Sequence, residues 1–153
     1  MINFNFSKKG LTLIEIIVVV AILMVVLGVG LASFRALSSQ IELNGSTKNL
    51  IENLRYAQQL SVTEQMEYGI IFSTTTEQKY ELVKHQDGST TTIKEISLPS
   101  EVYFKSITPL DNNEIRFNSY GAVKESGDVI LENEKEQTIT IRIRPSGFIK
   151  QID

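Results

Sequence analysis

The 153-residue chain has no cysteine, no tryptophan, one histidine and three prolines. Without cysteine there is no disulfide scaffold, no Cys-ligated zinc, no iron–sulfur cluster and no thiol nucleophile. His85 alone cannot build a multi-histidine metal site or a two-histidine relay. No G-x-S-x-G elbow, S-x-x-K pair or phosphate-cradling glycine loop is present, so an enzyme is not expected, and no cofactor is implied. Lys plus Arg number 15 against 18 Asp plus Glu, a net charge of −3, which argues against a broad nucleic-acid footprint. Charge is missing most conspicuously from residues 16–34, where 14 of 19 positions are Ile, Val, Leu, Met or Phe.

As a helix, nineteen residues span about 28 Å, close to the roughly 30 Å hydrocarbon core of a bilayer. In lipid every backbone group must be satisfied within the segment, which forces a helix despite the many Val and Ile. Lys8 and Lys9 precede the run, whereas only Arg35 lies close behind it. That bias predicts one membrane helix with its N-terminus in the cytoplasm and the rest of the chain outside. A secretory signal peptide, cut near Gly30-Leu31-Ala32-Ser33, is the plainer alternative. It fits less well, because the run is longer than an ordinary signal core and Glu15 stands at its leading edge. A carboxylate at the centre of a membrane helix costs roughly 2.5–3.5 kcal/mol, less near the interface, and normally has a partner. An unpartnered Glu15 could instead snorkel to the interface.

Lys8-Lys9-Gly10-Leu11-Thr12-Leu13-Ile14-Glu15 followed by a span resembles the class III signal of type IV pilins and pseudopilins. The resemblance implies cleavage by a prepilin peptidase after Gly10 and N-methylation of the new terminal residue, Leu11. It also implies a role for Glu15 in filament assembly. The family usually carries Phe after the cut, where this chain has Leu11. Independently of the family, a freed amine at Leu11 would lie one helical turn from Glu15. Staggered subunits could then set one subunit's Glu15 against the next one's amine, neutralising two charges that are costly to leave unpaired in an apolar bundle.

Beyond the span, Leu37, Ile41, Leu50, Ile51, Leu54, Ala57 and Leu60 recur at helical spacing, predicting an amphipathic continuation to about Met66. Asn44-Gly45-Ser46-Thr47 is a place where it could kink or break. The period then becomes two. Strands are expected at residues 68–72, 79–83, 92–96, 114–117, 128–131 and 137–144, with a final one at 148–149. His85-Gln86-Asp87-Gly88-Ser89 reads as a hairpin turn with a solvated histidine. Pro99 and Pro109 bracket a less regular stretch containing Val102, Phe104 and Ile107. The expected class is α+β: one long helix packed on an antiparallel sheet of six to eight strands. The expected parts are a leader at 1–10, a transmembrane and assembly helix at 11–34, its amphipathic continuation at 35–66 and a β domain at 67–153.

The phrases Leu54-Arg55-Tyr56-Ala57-Gln58-Gln59, Ile115-Arg116-Phe117-Asn118-Ser119-Tyr120-Gly121 and Ile141-Arg142-Ile143-Arg144-Pro145-Ser146-Gly147 are similar to those of the GspH/FimT group of minor pseudopilins and minor pilins. What this implies is a structural subunit of a type IV pilus-like filament or type II secretion pseudopilus. Its partners would be other pilin subunits, the inner-membrane assembly platform and lipid. Some members of the group bind DNA through a basic C-terminal region, and Arg142, Arg144 and Lys150 are the candidates here. The family's Gly-Arg-x-Arg tail is not matched, and residues 36–153 hold 12 basic and 17 acidic residues, a net of −5. DNA affinity from three cations would be weak and steeply salt-sensitive. An unrelated single-pass anchored β domain is the remaining alternative. The acidic run Glu132-Asn133-Glu134-Lys135-Glu136 lacks the ligand alternation of a calcium loop and reads as a solvated loop.

Overall fold

The computed structural model describes residues 10, 12–75, 77–108 and 113–152, with the side chains of residues 29–37 outside that description. Expectations placed on the first nine residues, on Leu11, on the side chain of Leu37 and on Pro109 therefore lie outside the described residues. The chain divides into two units, one ending at Leu37 and one beginning at Ser38.

Helix α1 (Leu13–Glu64) starts at a capping residue. The Thr12 hydroxyl accepts the Glu15 amide at 3.4 Å, and the Thr12 carbonyl accepts the Ile16 amide at 3.3 Å. This satisfies donors that a helix start leaves orphaned. In the first unit no apolar side chain described from Leu13 to Leu27 finds cover: exposures run from 41% at Val20 to 78% at Leu13.

The second unit behaves differently. Leu43, Leu50, Leu54 and Ala57 are completely buried, and Ser39, Ser46, Thr47 and Ser61 extend the same stripe with small polar residues. The helix runs unbroken through residues 44–47. Thr47 there donates its hydroxyl to the Leu43 carbonyl at 2.8 Å, so burial leaves no unpaired polar atom. Tertiary burial overrides poor local propensity. The expected stripe errs at Ile41, which is 59% exposed; Leu43, two positions on, takes the core position. The helix stops at Gln65, whose φ of 54° is left-handed and whose side-chain amide donates to the Val62 carbonyl at 2.6 Å.

Eight strands follow: β1 (Glu67–Ser73), β2 (Lys79–Gln86), β3 (Ser89–Ser97), β4 (Val102–Thr108), β5 (Glu114–Phe117), β6 (Gly127–Asn133), β7 (Thr138–Ile143) and β8 (Ile149–Ile152). They form two four-stranded antiparallel sheets, ordered β3-β2-β1-β5 and β4-β6-β7-β8, rather than the one sheet expected. The division falls at Pro99, which has no amide for a ladder. Its carbonyl accepts the Val102 amide at 3.0 Å, turning the chain out of β3 into the second sheet. The stretch that looked irregular is strand β4. An extra residue between Phe104 and Ser106 makes a bulge that resets the alternation, which hides a strand from a period-two reading. Phe72 of β1 meets Phe104 of β4 edge to face at 5.3 Å, joining the sheets in one core with the α1 stripe.

Gln58 ties the helix to both sheets. Its Nε2 donates to the Gly121 carbonyl at 2.7 Å and the Gly147 carbonyl at 3.1 Å. Each glycine closes a turn at φ near +78°, and a Cβ on Gly147 would lie 2.0 Å from the Gly121 oxygen. At the helix end, Glu64 accepts bonds from Lys84 at 2.7 Å and from the buried Tyr68 hydroxyl at 2.5 Å. The Lys84 bond, followed by the Tyr68 bond, holds the Glu64 carboxyl below its usual range.

Gly147→Ala should destabilise the protein by about 2–4 kcal/mol, strain plus a backbone clash, while Gly88→Ala, with the same φ and open space around it, should cost about 1 kcal/mol. Urea unfolding of the full chain in detergent measures both. For Glu64, a depressed folded pKa means stability present above the unfolded value near 4.5 and lost as pH falls through the folded one. Lys84→Gln should therefore melt lower than the parent at neutral pH, and the two melting temperatures should converge at about pH 3.

Candidate assembly site and basic face

The N-terminal candidates sit where the helix begins. Gly10 is exposed with nothing within 4 Å of a notional Cβ, and Leu11 lies outside the described residues. With Thr12 as the cap, Glu15 occupies the third helical position, where a carboxylate complements the helix dipole. Its side chain is exposed, and no cation pairs with it among the described residues. Behind it the described surface through Leu27 is apolar on every side. A helix apolar all round is suited to a bilayer or to the centre of a helical bundle, not to water. Among the described residues no helix is long and apolar enough to cross a membrane. The described side chains stop at Gly28, whereas the uncharged run of the sequence continues to Phe34.

The C-terminal candidates lie on the second sheet. The in-out alternation of β7 is as expected, with Ile139, Ile141 and Ile143 buried and Arg142 outward. Arg142 stands opposite Lys150 in the ladder. Its guanidinium grips Asp128 with two bonds of 2.8 and 2.7 Å, a fork-on-fork pair across β6 and β7. The same bond lowers the Asp128 pKa and raises that of Arg142. Arg144 instead lies 5.8 Å from the centre of the Phe148 ring, a cation–π distance. The three cations share a region, but Arg142 is already engaged by a carboxylate that sequence spacing did not reveal.

Two other readings need correcting. His85 is not a solvated turn residue. It is the penultimate residue of β2, with 11% of its side chain exposed, its Nε2 2.5 Å from Glu114 and its Nδ1 3.0 Å from the Thr90 hydroxyl. Glu114 also accepts two bonds from Arg116. The acidic run is only partly a solvated loop: Glu132 and Asn133 are buried at the end of β6. Lys105 pairs with Glu132 at 2.7 Å and lowers its pKa, and the Asn133 carboxamide oxygen accepts the Lys135 and Gln137 amides. Among the described residues no three acidic or histidine side chains are grouped to hold a metal. Tyr80 has its pKa pushed up to about 12 by burial, and Asn53 donates to its hydroxyl. These contacts fasten strands within each sheet and tie Tyr80 of β2 to Asn53 of α1.

Comparison with known proteins agrees with this division. Residues 5–31 match the prokaryotic N-terminal methylation motif. No curated protein sequence matches the chain. Among solved structures, the type IV minor pilin FimU of Pseudomonas aeruginosa superposes with a TM-score of 0.63 at 13% identity, covering 74% of this chain and 90% of FimU. A second crystal form of FimU gives 0.58 at 13% identity, over 72% and 93%. The minor pseudopilin EpsH from the type 2 secretion system of Vibrio cholerae gives 0.60 at 10% identity, over 72% and 96%. The chain therefore carries a prokaryotic N-terminal methylation motif at residues 5–31 and has the α+β fold seen in a minor pilin and a minor pseudopilin.

Proposed function

We propose that the chain is a minor pilin or pseudopilin subunit, cut after Gly10 by a prepilin peptidase, methylated on Leu11 and polymerised with other pilin-type subunits. The helix at 11–34 anchors it in the inner membrane before assembly, with the N-terminus cytoplasmic and the β domain outside. An inner-membrane platform then passes it into a type IV pilus-like filament or a type II secretion pseudopilus. The observation that carries this reading is the order of the first 34 residues. A basic pair, a glycine, a capped helix start and one carboxylate precede a helix whose described side chains are apolar and uncovered.

The chemistry follows from those residues. Cleavage at Gly10 leaves a cationic amine on Leu11 at the very start of the helix. Glu15 lies one turn further, and in a bundle of apolar helices neither charge tolerates isolation. A subunit entering at the correct axial stagger pairs its amine with a neighbour's Glu15, and a misplaced one leaves both groups bare. The carboxylate thereby selects register more than it adds affinity.

Co-expression with a prepilin peptidase should yield an N-terminal peptide beginning at Leu11 with one added methyl group, read by mass spectrometry. An uncut Met1, or a cut near Ala32, would end the filament reading. Glu15→Ala should be cut and membrane-inserted normally yet fall at least about tenfold in filament incorporation, an amount corresponding to about 1.4 kcal/mol. Thr12→Val, which removes the cap and keeps the carboxylate, should incorporate nearly as the parent does. Equal loss in both variants would reduce Glu15 to a helix-capping residue.

A further inference from the structure

A groove on the second unit joins the helix to the last hairpin and has no role in the assembly just described. Its walls are Arg55 and Gln58 of α1, residues 146–148 between β7 and β8, and Ile149 at the start of β8. Gln58 spends both amide hydrogens on the Gly121 and Gly147 carbonyls, so it shapes the wall and is not available to a ligand. Gly147 closes the turn at a φ of 79°, holding Ser146 and Phe148 outward. Phe148 is 55% exposed, and the Arg144 guanidinium stands against its ring.

The charges around this groove are unbalanced. Lys79, Lys84, Lys105, Arg116 and Arg142 all pair with carboxylates. Arg55 and Arg144 do not pair with any carboxylate among the described residues, and no acidic side chain lines the groove. Lys150, one residue beyond Ile149, adds a third cation with no carboxylate partner among the described residues. Two arginine forks flanking an exposed aromatic ring match carboxylates spaced along an extended chain with an apolar side chain between them.

We propose that this groove docks an acidic, extended segment of a neighbouring pilin-type subunit, its carboxylates on Arg55 and Arg144 and an apolar side chain on Phe148. The choice of a neighbouring subunit rests on the filament reading above; the groove's chemistry does not. A peptide suits the site better than nucleic acid. Three cations make few phosphate contacts, and residues 36–153 carry a net charge of −5 that repels a polyanion. A short carboxylate segment meets only the local charge.

The test is fluorescence anisotropy on the full chain in neutral detergent at low salt, with labelled hexaglutamate and labelled oligothymidylate as probes. Hexaglutamate should bind, and bind more tightly than oligothymidylate. The double variant R55E/R144E, and its milder form R55Q/R144Q, should weaken hexaglutamate at least about tenfold with an unchanged circular-dichroism melt. K94E, a reversal of an exposed cation on β3, should bind as the parent does. Absence of hexaglutamate binding, equal loss in K94E, or no loss in either double variant would overturn the proposal. Tighter binding of oligothymidylate would overturn it too, in favour of a nucleic-acid surface. Binding is read whether or not the leader has been cut, so failure here and failure of the filament reading are separate results.

Discussion

Burial of one stripe of α1, from Ser39 to Ser61, is the constraint on which the β domain depends. Both sheets turn their apolar faces onto Leu43, Leu50, Leu54 and Ala57, and all of these belong to a single core. Each fully buried leucine contributes about 1.5–3 kcal/mol, so this stripe supplies a substantial part of what holds two small sheets together. The Ser61 and Thr47 hydroxyls bond locally to the Gln58 and Leu43 carbonyls, so these polar side chains are buried without losing their hydrogen bonds. Ser39 reaches further, donating to Glu101 at 2.9 Å and tying the helix to the corner where the second sheet begins.

Most elements of this fold were legible in the sequence, and their partnerships were not. Period-two alternation reports that Ile139, Ile141 and Ile143 face a core, but it is silent on which strand lies alongside. The two-sheet division depends on Pro99 ending one ladder and on β5 returning to pair with β1, both matters of long-range pairing. Strand β4 was lost because its bulge shifts Phe104 and Ile107 out of phase. The weak helical propensity of residues 44–47 pointed to a break, yet burial of Ser46 and Thr47 kept the helix going. In each case a non-local term outweighed a local one.

The two candidate sites differ in the same way. The motif in residues 8–15 could be seen because its chemistry is contiguous, with a basic pair, a small residue and a carboxylate within eight positions, whereas the cap at Thr12 emerged from the structure. On the basic face the partner of Arg142 was not legible, because Asp128 precedes it by 14 positions and meets it only through the register of β6 and β7. His85 likewise finds Glu114 across the sheet, 29 residues away. A cation counted along a sequence is not a cation offered to a ligand. Gln58, which organises the groove wall through two glycine carbonyls, carried no sequence signal of its role.

Charge placement separates the two units. In the β domain, buried or half-buried acids have partners at hand: Glu132 has Lys105, and Glu114 has His85 and Arg116. At the N-terminus, Glu15 introduces an uncharged run and has no cation beside it among the described residues. In water that arrangement costs nothing for the carboxylate and a great deal for the uncovered Val, Ile and Leu side chains. In lipid or in a bundle the balance reverses, because the apolar surface is covered and the carboxylate loses its water. An environment that satisfies both must be apolar around the helix and cationic at one point near its start. The staggered array of helix starts proposed above, each bringing its own terminal amine, would have that composition. The cap at Thr12 begins the helix before Glu15, so the carboxylate occupies a regular position in the first turn, where it complements the helix dipole.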